Sequence, residues 1–307
     1  MVLLGKLLPF FLTAFLGFFC SRTSFFPNSF LAVANRLVFY IGLPAMLFVS
    51  MATQPDGTPA ILPAVAVCIA LPLACLLAVP ISGLLFGKKH VSIRATWVQC
   101  SFHANQGLGL PVILCLCGER GLIAAGPMFV TFIVCQNLLS SLVYQYFTQG
   151  SAHSIKKSIT GIWRNPAVSA TILGLLWHEL KLPLPGFLLE TFRILAGLFL
   201  PLALFTIGVH LAHWRQDAIK GRAWATLFLL VHKLALLPLI GFLLAAALAL
   251  PELEQQVLLL CLASPTALVS GIFAAELGGV PMQAAASISL SHIVCPLTYA
   301  FWMHLVS

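Results

Sequence analysis

The fold of this 307-residue chain is indicated by a phrase that first reads Arg36-Leu-Val-Phe-Tyr-Ile-Gly-Leu-Pro44-Ala-Met-Leu-Phe48. A second copy reads Arg193-Ile-Leu-Ala-Gly-Leu-Phe-Leu-Pro201-Leu-Ala-Leu-Phe205. The arginine and the proline of the second copy both follow their counterparts by 157 residues (193 − 36 and 201 − 44). Because this separation is about half the chain, the sequence predicts one structural unit written twice. In a membrane protein, an internal repeat of this kind points to a transporter.

Composition excludes a water-soluble globule. The chain is 60% hydrophobic and 8% charged, whereas soluble domains carry about 25% charged residues. A helix that crosses a bilayer needs about 20 mainly apolar residues. The apolar stretches number about ten and lie roughly at residues 2–20, 28–52, 60–86, 92–117, 122–148, 166–182, 186–211, 222–250, 254–276 and 281–305.

The formal net charge of +8 is interpreted through the positions of the basic residues. If consecutive spans alternate in direction, one side of the membrane carries Arg22, Lys88, Lys89, Arg94, Lys156, Lys157, Arg164, Arg215, Lys220 and Arg222. The opposite side carries only Lys6, Arg120 and Lys181, with Arg193 close by. The positive-inside rule places the richer side in the cytoplasm and both termini outside it. We therefore predict a multi-pass protein of the cell (inner or plasma) membrane with no nucleic-acid partner.

The spans divide into two sets of opposite orientation. About five precede residue 150 and about five follow residue 165, and an odd number of spans makes the second half enter the membrane from the other side. The predicted fold is an all-α polytopic membrane protein with about ten transmembrane helices in two inverted five-helix repeats. The repeats occupy residues 1–150 and 166–307, and residues 151–165 form a cytoplasmic amphipathic linker on the membrane surface.

Helices four and nine are both interrupted. Span four contains Asn105-Gln-Gly107-Leu-Gly109-Leu-Pro111, in which the glycines and the proline disfavour a continuous helix. Span nine is interrupted at Ser264-Pro265-Thr266, the corresponding position of the second half. Unwound backbone at membrane depth survives only where it is buried in protein or lines a water-filled cavity. Paired interruptions therefore predict a substrate site where the two helices break and cross.

Broken helices offer chemistry suited to anions. We expect one half-helix to begin near Pro111 and another near Pro265, each presenting free N–H groups and a positive dipole end. Such ends bind anions, including carboxylates. Asn105, Gln106 and Thr266 would add directional hydrogen bonds. In the alternative, both prolines merely bend ordinary spans.

Lys233 lies near the middle of span eight. A charge at that depth costs about 3 kcal/mol on insertion scales, so this side chain should face a partner or a cavity, and a bound anion would serve. In the alternative, the span is shifted and Lys233 reaches an interface. The predicted substrate-binding residues are Asn105, Gln106, Gly107, Pro111, Ser264, Pro265, Thr266 and Lys233.

The sequence shows no clear ion-coupling site, catalytic set or metal site within the predicted spans. No Asp or Glu falls clearly at mid-membrane, so a carboxylate-lined Na⁺ or H⁺ site is not visible. His103 and His292 are either proton relays or hydrogen-bonded contacts between helices. An intramembrane enzyme would need clustered acids, a Ser/His pair or a metal set, and we predict no enzyme, no cofactor and no metal.

These motifs resemble the auxin efflux carrier family of membrane transporters. The most specific part is Ser264-Pro265-Thr266 followed by Phe273-Ala-Ala-Glu276 and Gly278-Gly279. Asn105 with Gly109 and Pro111 is similar to the crossover of span four in that family, and the likeness runs along most of the chain. The long cytoplasmic loop of many plant members is missing, which favours a bacterial-type member.

The resemblance implies ten spans in an inverted five-plus-five repeat, a fold shared with bile acid:sodium symporters, and a homodimer. It also implies that substrate is held where spans four and nine cross, with Asn105 contacting a carboxylate. We therefore predict a secondary transporter, for efflux or uptake, of a small organic anion in the lipid bilayer, working by alternating access. The alternatives are a channel or substrate sensor on a carrier fold, and a sodium- or proton-coupled symporter of the bile acid symporter type.

Overall fold

The computed structural model describes residues 2–23, 25–27, 29–54, 61–148, 166–212 and 223–306. Its helices are, in chain order, α1 (Val2–Arg22), α2 (Phe30–Leu37), α3 (Leu43–Ala52), α4 (Leu62–Phe86), α5 (Val91–Phe102), α6 (Gln106–Thr148), α7 (Pro166–Glu179), α8 (Gly186–Gly197), α9 (Phe199–Ala212), α10 (Ala223–Val231), α11 (Leu237–Ala247), α12 (Glu252–Leu262), α13 (Ser270–Glu276) and α14 (Pro281–Leu305). Two wide π-helical turns, Val38–Gly42 and His232–Leu236, precede α3 and α11. The predicted linker 151–165 and the basic residues Lys156, Lys157, Arg164, Arg215, Lys220 and Arg222 lie outside the described residues.

Five helical stretches in the described part of the chain are long and apolar enough to cross a membrane. They are Leu62–Phe86, Gln106–Thr148, Gly186–Thr206, Ala223–Ala247 and Pro281–Leu305. Shorter apolar helices cover Leu12–Arg22 and Val38–Ala52. The 43-residue α6 is interrupted at Gly118, where φ is 65° and ψ is −162°, a conformation that glycine adopts at little cost. The prediction of an all-helical, multi-pass membrane protein is confirmed.

The chain forms two compact units. Unit 1 contains Met1–Pro59, Leu110–Val130 and Trp163–Trp214, and unit 2 contains Ala60–Gly109, Thr131–Ile162 and Arg215–Ser307. Each unit takes segments from both halves of the sequence. The boundaries at residues 1–150 and 166–307 describe a repeat along the chain, and they stay a prediction.

Each of the π-helical turns stands directly before a Leu-Pro pair. The N–H of Leu43 bonds the carbonyl of Val38, and the N–H of Leu237 bonds the carbonyl of His232, so both bonds reach back five residues. The next residue in each case is a proline, which has no N–H and crowds the carbonyl four residues earlier. The widened turn accommodates that crowding.

The second copy of the repeated phrase breaks its helix differently. There α8 ends at Gly197 and α9 begins at Phe199, two residues ahead of Pro201. Both copies therefore interrupt a helix close to their proline, but only the first does so through a π-helical turn.

In unit 1, α1 and α9 pack together through glycines. A Cβ atom on Gly17 would lie 2.0 Å from the carbonyl oxygen of Phe205, and one on Gly208 would lie 1.7 Å from that of Ala14. Small residues at helix contacts in membranes allow the backbones to approach this closely. The pair therefore has no room for a side chain at either glycine.

Replacing Gly208 with alanine is expected to push α1 and α9 apart and to lower the melting temperature by about 2–5 °C, since overpacking costs about 1–3 kcal/mol. Thermal unfolding of the purified protein in detergent measures this shift. Gly186→Ala in the same unit is the control, because a Cβ there has nothing within 4 Å. Equal melting temperatures for the two variants would contradict the packing argument.

Candidate functional site

Within unit 2, two helices stop and the segments that follow them pair with each other. Helix α5 ends at Phe102 before α6 begins at Gln106, and α12 ends at Leu262 before α13 begins at Ser270. Ala104 and Thr266 form an antiparallel bridge. We call residues 103–105 and 263–269 the crossing.

The backbones of the two crossing segments are joined by two hydrogen bonds. The N–H of Asn105 donates to the carbonyl of Pro265 at 2.7 Å, and the N–H of Ala267 donates to the carbonyl of His103 at 2.9 Å. The structure thus brings together two of the residues that the sequence marked as paired interruptions.

Side chains from neighbouring helices satisfy the backbone N–H groups at the centre of the crossing. The N–H of Ala104 donates to Oε1 of Gln136 on α6, and the N–H of Thr266 donates to Oγ of Ser291 on α14 at 2.9 Å. Backbone groups at membrane depth must find partners within the protein. The sequence did not identify Gln136 or Ser291 as partners of the crossing. A single polar residue in an apolar span gives no indication of which atom its side chain contacts.

Asn105 caps the start of α6. Its Oδ1 accepts a hydrogen bond from the N–H of Gly107 at 3.1 Å, the usual bond of an N-cap residue. Its backbone carbonyl accepts from the N–H groups of Leu108 and Gly109 at 3.1 and 3.0 Å. Because these three bonds fix the helix start at Gln106, the expectation that it begins near Pro111 was wrong. Pro111 lies inside α6, in the part of that helix that belongs to unit 1.

Helix α13 also begins later than the expected start near Pro265. Its first residue is Ser270, since the carbonyl of Pro265 and the N–H of Ala267 pair with Asn105 and His103 instead of with a following helical turn. The positive end of α13 is therefore displaced from Pro265 by five residues of chain.

The amide group of Asn105 also contacts His292. Nδ2 of Asn105 lies 3.0 Å from Nε2 of His292, and Nδ1 of His292 lies 2.7 Å from the carbonyl oxygen of Ile288. A carbonyl only accepts, so Nδ1 carries a hydrogen, and in the neutral ring Nε2 accepts from the Asn105 amide. This histidine is thus a hydrogen-bonded contact between the crossing and α14.

Two of the predicted site residues have accessible surface. Asn105 is half-buried and Gly107 is exposed, whereas Pro111 and Pro265 are buried. The remaining polar residues of the set, Gln106, Ser264, Thr266 and Lys233, are buried as well. A ligand that reaches the crossing from a water-filled cavity would therefore meet the start of α6 first.

Side chains donate hydrogen bonds to the last three backbone carbonyls of α12. Oγ of Ser264 donates to the carbonyl of Leu260 at 2.9 Å, Nε2 of Gln106 donates to that of Cys261 at 3.2 Å, and Nζ of Lys233 donates to that of Leu262 at 2.9 Å. Lys233 is fully buried, so it does not reach an interface. All three hydrogen bonds are accepted by backbone carbonyl oxygens of α12.

His103 lies in a buried polar network. Its Nδ1 is 2.7 Å from Nε2 of Gln99 and 3.1 Å from Oγ of Ser140. The Gln99 amide nitrogen is also 3.2 Å from Oγ of Ser270, so the network links α5 to α6 and α13. In the described residues, no three His, Cys, Asp or Glu side chains are grouped so that they could hold a metal ion.

Several apolar helices long enough to span a membrane, together with two helix breaks that pair with each other, are typical of a polytopic membrane transport protein. Residues 2–303 match the family described as "Membrane transport protein", so the chain belongs to that family. The resemblance to auxin efflux carriers is confirmed. A curated uncharacterized transporter from Methanocaldococcus jannaschii is 26% identical over 267 residues, which cover 83% of this chain and 82% of the relative. The family is one of transporters and not of catalytic enzymes.

Proposed function

We propose that this protein is a secondary transporter of a small organic anion, such as a carboxylate, which binds at the crossing during alternating access. The observation that carries the proposal is the Asn105-capped start of α6, where Asn105 and Gly107 have accessible surface while His103, Ala104 and residues 263–267 are buried. The family membership supports transport but leaves the substrate open.

The charge distribution around the crossing favours an anion. A helix start carries a partial positive charge and N–H groups that bind anions. The buried Lys233 adds a basic group within unit 2, and no carboxylate of the described residues forms an ion pair with it. Residues 103–105 and 263–269 themselves contain no Asp or Glu. An anion at this place gains attraction without meeting a like charge.

We assign the predicted site residues two kinds of role. The Asn105 amide donates to the substrate carboxylate, and Gly107 lets the anion approach the backbone because it has no side chain. The other residues support the crossing. Pro265 bonds Asn105 through its carbonyl, and side chains bond the carboxyl ends of α5 and α12, from Thr266 to α5 and from Gln106, Ser264 and Lys233 to α12. Pro111 ends the helical hydrogen bonding available to the carbonyl of Gly107, since a proline four residues on has no N–H.

The proposal includes the finer architecture. It has about ten transmembrane helices in two inverted five-helix repeats, with the crossing formed by helices four and nine. The duplicated phrase, with a helix break in each copy, supports the repeat. We place the protein in the cell (inner or plasma) membrane as a homodimer, with both termini outside the cytoplasm.

Counterflow in proteoliposomes tests the proposed function. Vesicles loaded with an unlabelled organic acid are expected to take up the labelled acid faster than empty vesicles, with saturation. Each acid is paired with its uncharged amide, which is expected to give no exchange because the helix start attracts only the anion. Flux that rises linearly without exchange would contradict a carrier and indicate a channel. Binding without flux would indicate a sensor, and an absolute need for Na⁺ would indicate a symporter.

A further inference from the structure

The carboxyl end of α12 is a place where a cation is stabilised. A helix ends with carbonyl groups that lack helical partners and together carry a partial negative charge. In transporters with broken helices, such ends and the unwound carbonyls beside them coordinate the coupling cation. Here the carbonyls of Leu260 and Cys261 accept from neutral side chains. The carbonyl of Leu262, the last residue of α12, accepts from the ammonium group of Lys233 at 2.9 Å.

Lys233 is held toward this helix end by the irregular turn on which it stands. The π-helical turn His232–Leu236 precedes Pro238, which cannot donate to the carbonyl of Leu234 four residues before it. Nε1 of Trp302 donates to that carbonyl at 3.0 Å instead. The turn is therefore stabilised independently of the bond between Lys233 and α12, and it keeps the ammonium in place.

The charge of Lys233 is balanced by the helix end and not by an acid. The ammonium is fully buried, and among the described residues no Asp or Glu lies within ion-pair distance of it. The same helix end has a second oxygen available, since Oε1 of Gln106 is buried and accepts no hydrogen bond in the described part of the chain. Nζ of Lys233 thus bonds the last carbonyl of α12, and the carbonyl before it, that of Cys261, is bonded by the side chain that carries this free oxygen.

We propose that the Lys233 ammonium is the resident cation of the crossing, occupying at the end of α12 the place that other carriers fill with a sodium ion. The crossing is then complete without a bound alkali ion. This inference concerns the crossing itself and rests on the proposed function for one consequence only, that transport does not require Na⁺. Truncation of Lys233 leaves a vacant cation site that an added cation can fill.

The test is the thermal stability of the purified protein in sodium chloride and in choline chloride at equal ionic strength. The wild type is expected to melt at the same temperature in both salts. Lys233→Ala is expected to melt several degrees lower in choline chloride and to recover, with saturation, on addition of Na⁺ or of n-propylammonium. The latter carries the same three-carbon chain and ammonium group that the truncation removes.

Two further variants separate charge from packing. Lys233→Met fills the space without a charge, so it is expected to melt below the wild type and to recover with neither cation. Lys89→Ala removes an exposed lysine of the same unit, and its melting temperature is expected to be that of the wild type in both salts. Three outcomes would overturn the inference: a saturable stabilisation of the wild type by Na⁺, a Lys233→Met variant as stable as the wild type, or a Lys233→Ala variant that neither cation stabilises. No substrate enters these measurements, so their result does not depend on which molecule is transported.

Discussion

Asn105→Ala is expected to lower saturable transport about 10- to 100-fold, because a hydrogen bond to a charged group is worth about 1.5–3 kcal/mol and 1.4 kcal/mol is a factor of ten. The alanine also removes the cap of α6, in which Oδ1 accepts from the N–H of Gly107. Losing an N-cap costs about 1 kcal/mol of stability. Transport in proteoliposomes and thermal unfolding of the same preparation measure the two effects.

Two other substitutions separate the cap from the substrate contact. Serine and aspartate both cap helices well, so Asn105→Ser and Asn105→Asp are expected to keep the cap and to melt above Asn105→Ala, although both lose the bond from the Asn105 amide to Nε2 of His292. Asn105→Ser has no amide to donate to an anion, and Asn105→Asp presents a like charge. Both are therefore expected to lose transport as strongly as Asn105→Ala. Normal transport by Asn105→Asp would move the anion away from this residue.

Asn137 supplies the matched control for this series. It lies on α6 in the same unit, is half-buried, and its Nδ2 donates to the carbonyl of Ile133 at 2.8 Å. Asn137→Ala removes the same chemical group from the same helix, away from the crossing, and is expected to transport as the wild type does. A loss equal to that of Asn105→Ala would show that any amide on this helix matters and would argue against a specific site.

The paired interruptions could be predicted because their causes are local. A glycine or a proline disfavours a helix wherever it stands, and a polar residue inside an apolar run is visible without any structure. The start of α6 could not be placed in the same way, since Asn105 and Pro111 both signal a boundary within seven residues. Three hydrogen bonds to Asn105 decide in favour of the cap, and such bonds can be counted only once the backbone path is known.

The partners of the crossing could not be predicted because they are distant in the chain. Ala104 and Gln136 are 32 residues apart, and Thr266 and Ser291 are 25 residues apart. For Lys233 the sequence indicated that a mid-membrane charge needs a partner. The atom that it contacts is the backbone oxygen of Leu262, and since every residue has such an oxygen, no side-chain pattern could identify it.

Gly109→Ala is expected to destabilise the crossing by about 2–3 kcal/mol, the upper part of the range for overpacking, and to abolish transport. A Cβ on Gly109 would lie 2.5 Å from Oγ of Ser264. That hydroxyl is fixed on two sides, since it donates to the carbonyl of Leu260 at 2.9 Å and accepts from the hydroxyl of Tyr299 at 3.0 Å. The added methyl group therefore cannot be accommodated without breaking one of these buried bonds.

A double-variant cycle tests whether this contact is the cause. Ser264→Ala removes the obstructing Oγ and by itself costs about 1–3 kcal/mol, because it leaves the buried Tyr299 hydroxyl without its acceptor. Once Oγ is gone, the atom nearest to a Cβ on Gly109 is Oε1 of Gln106 at 3.1 Å, at the end of a side chain that can shift. The double variant is therefore expected to be more stable than the sum of the single losses by at least about 1 kcal/mol, within the range for residues in contact.

The control for the cycle is Gly271→Ala, also in unit 2, where a Cβ has nothing within 4 Å. This variant is expected to match or exceed the wild type in stability, because alanine favours a helix over glycine by about 0.8–1.0 kcal/mol. Strictly additive losses for Gly109→Ala and Ser264→Ala would show that the methyl group meets some other obstacle. A coupling confined to this pair would instead show that Oγ of Ser264 is what obstructs a methyl group at residue 109.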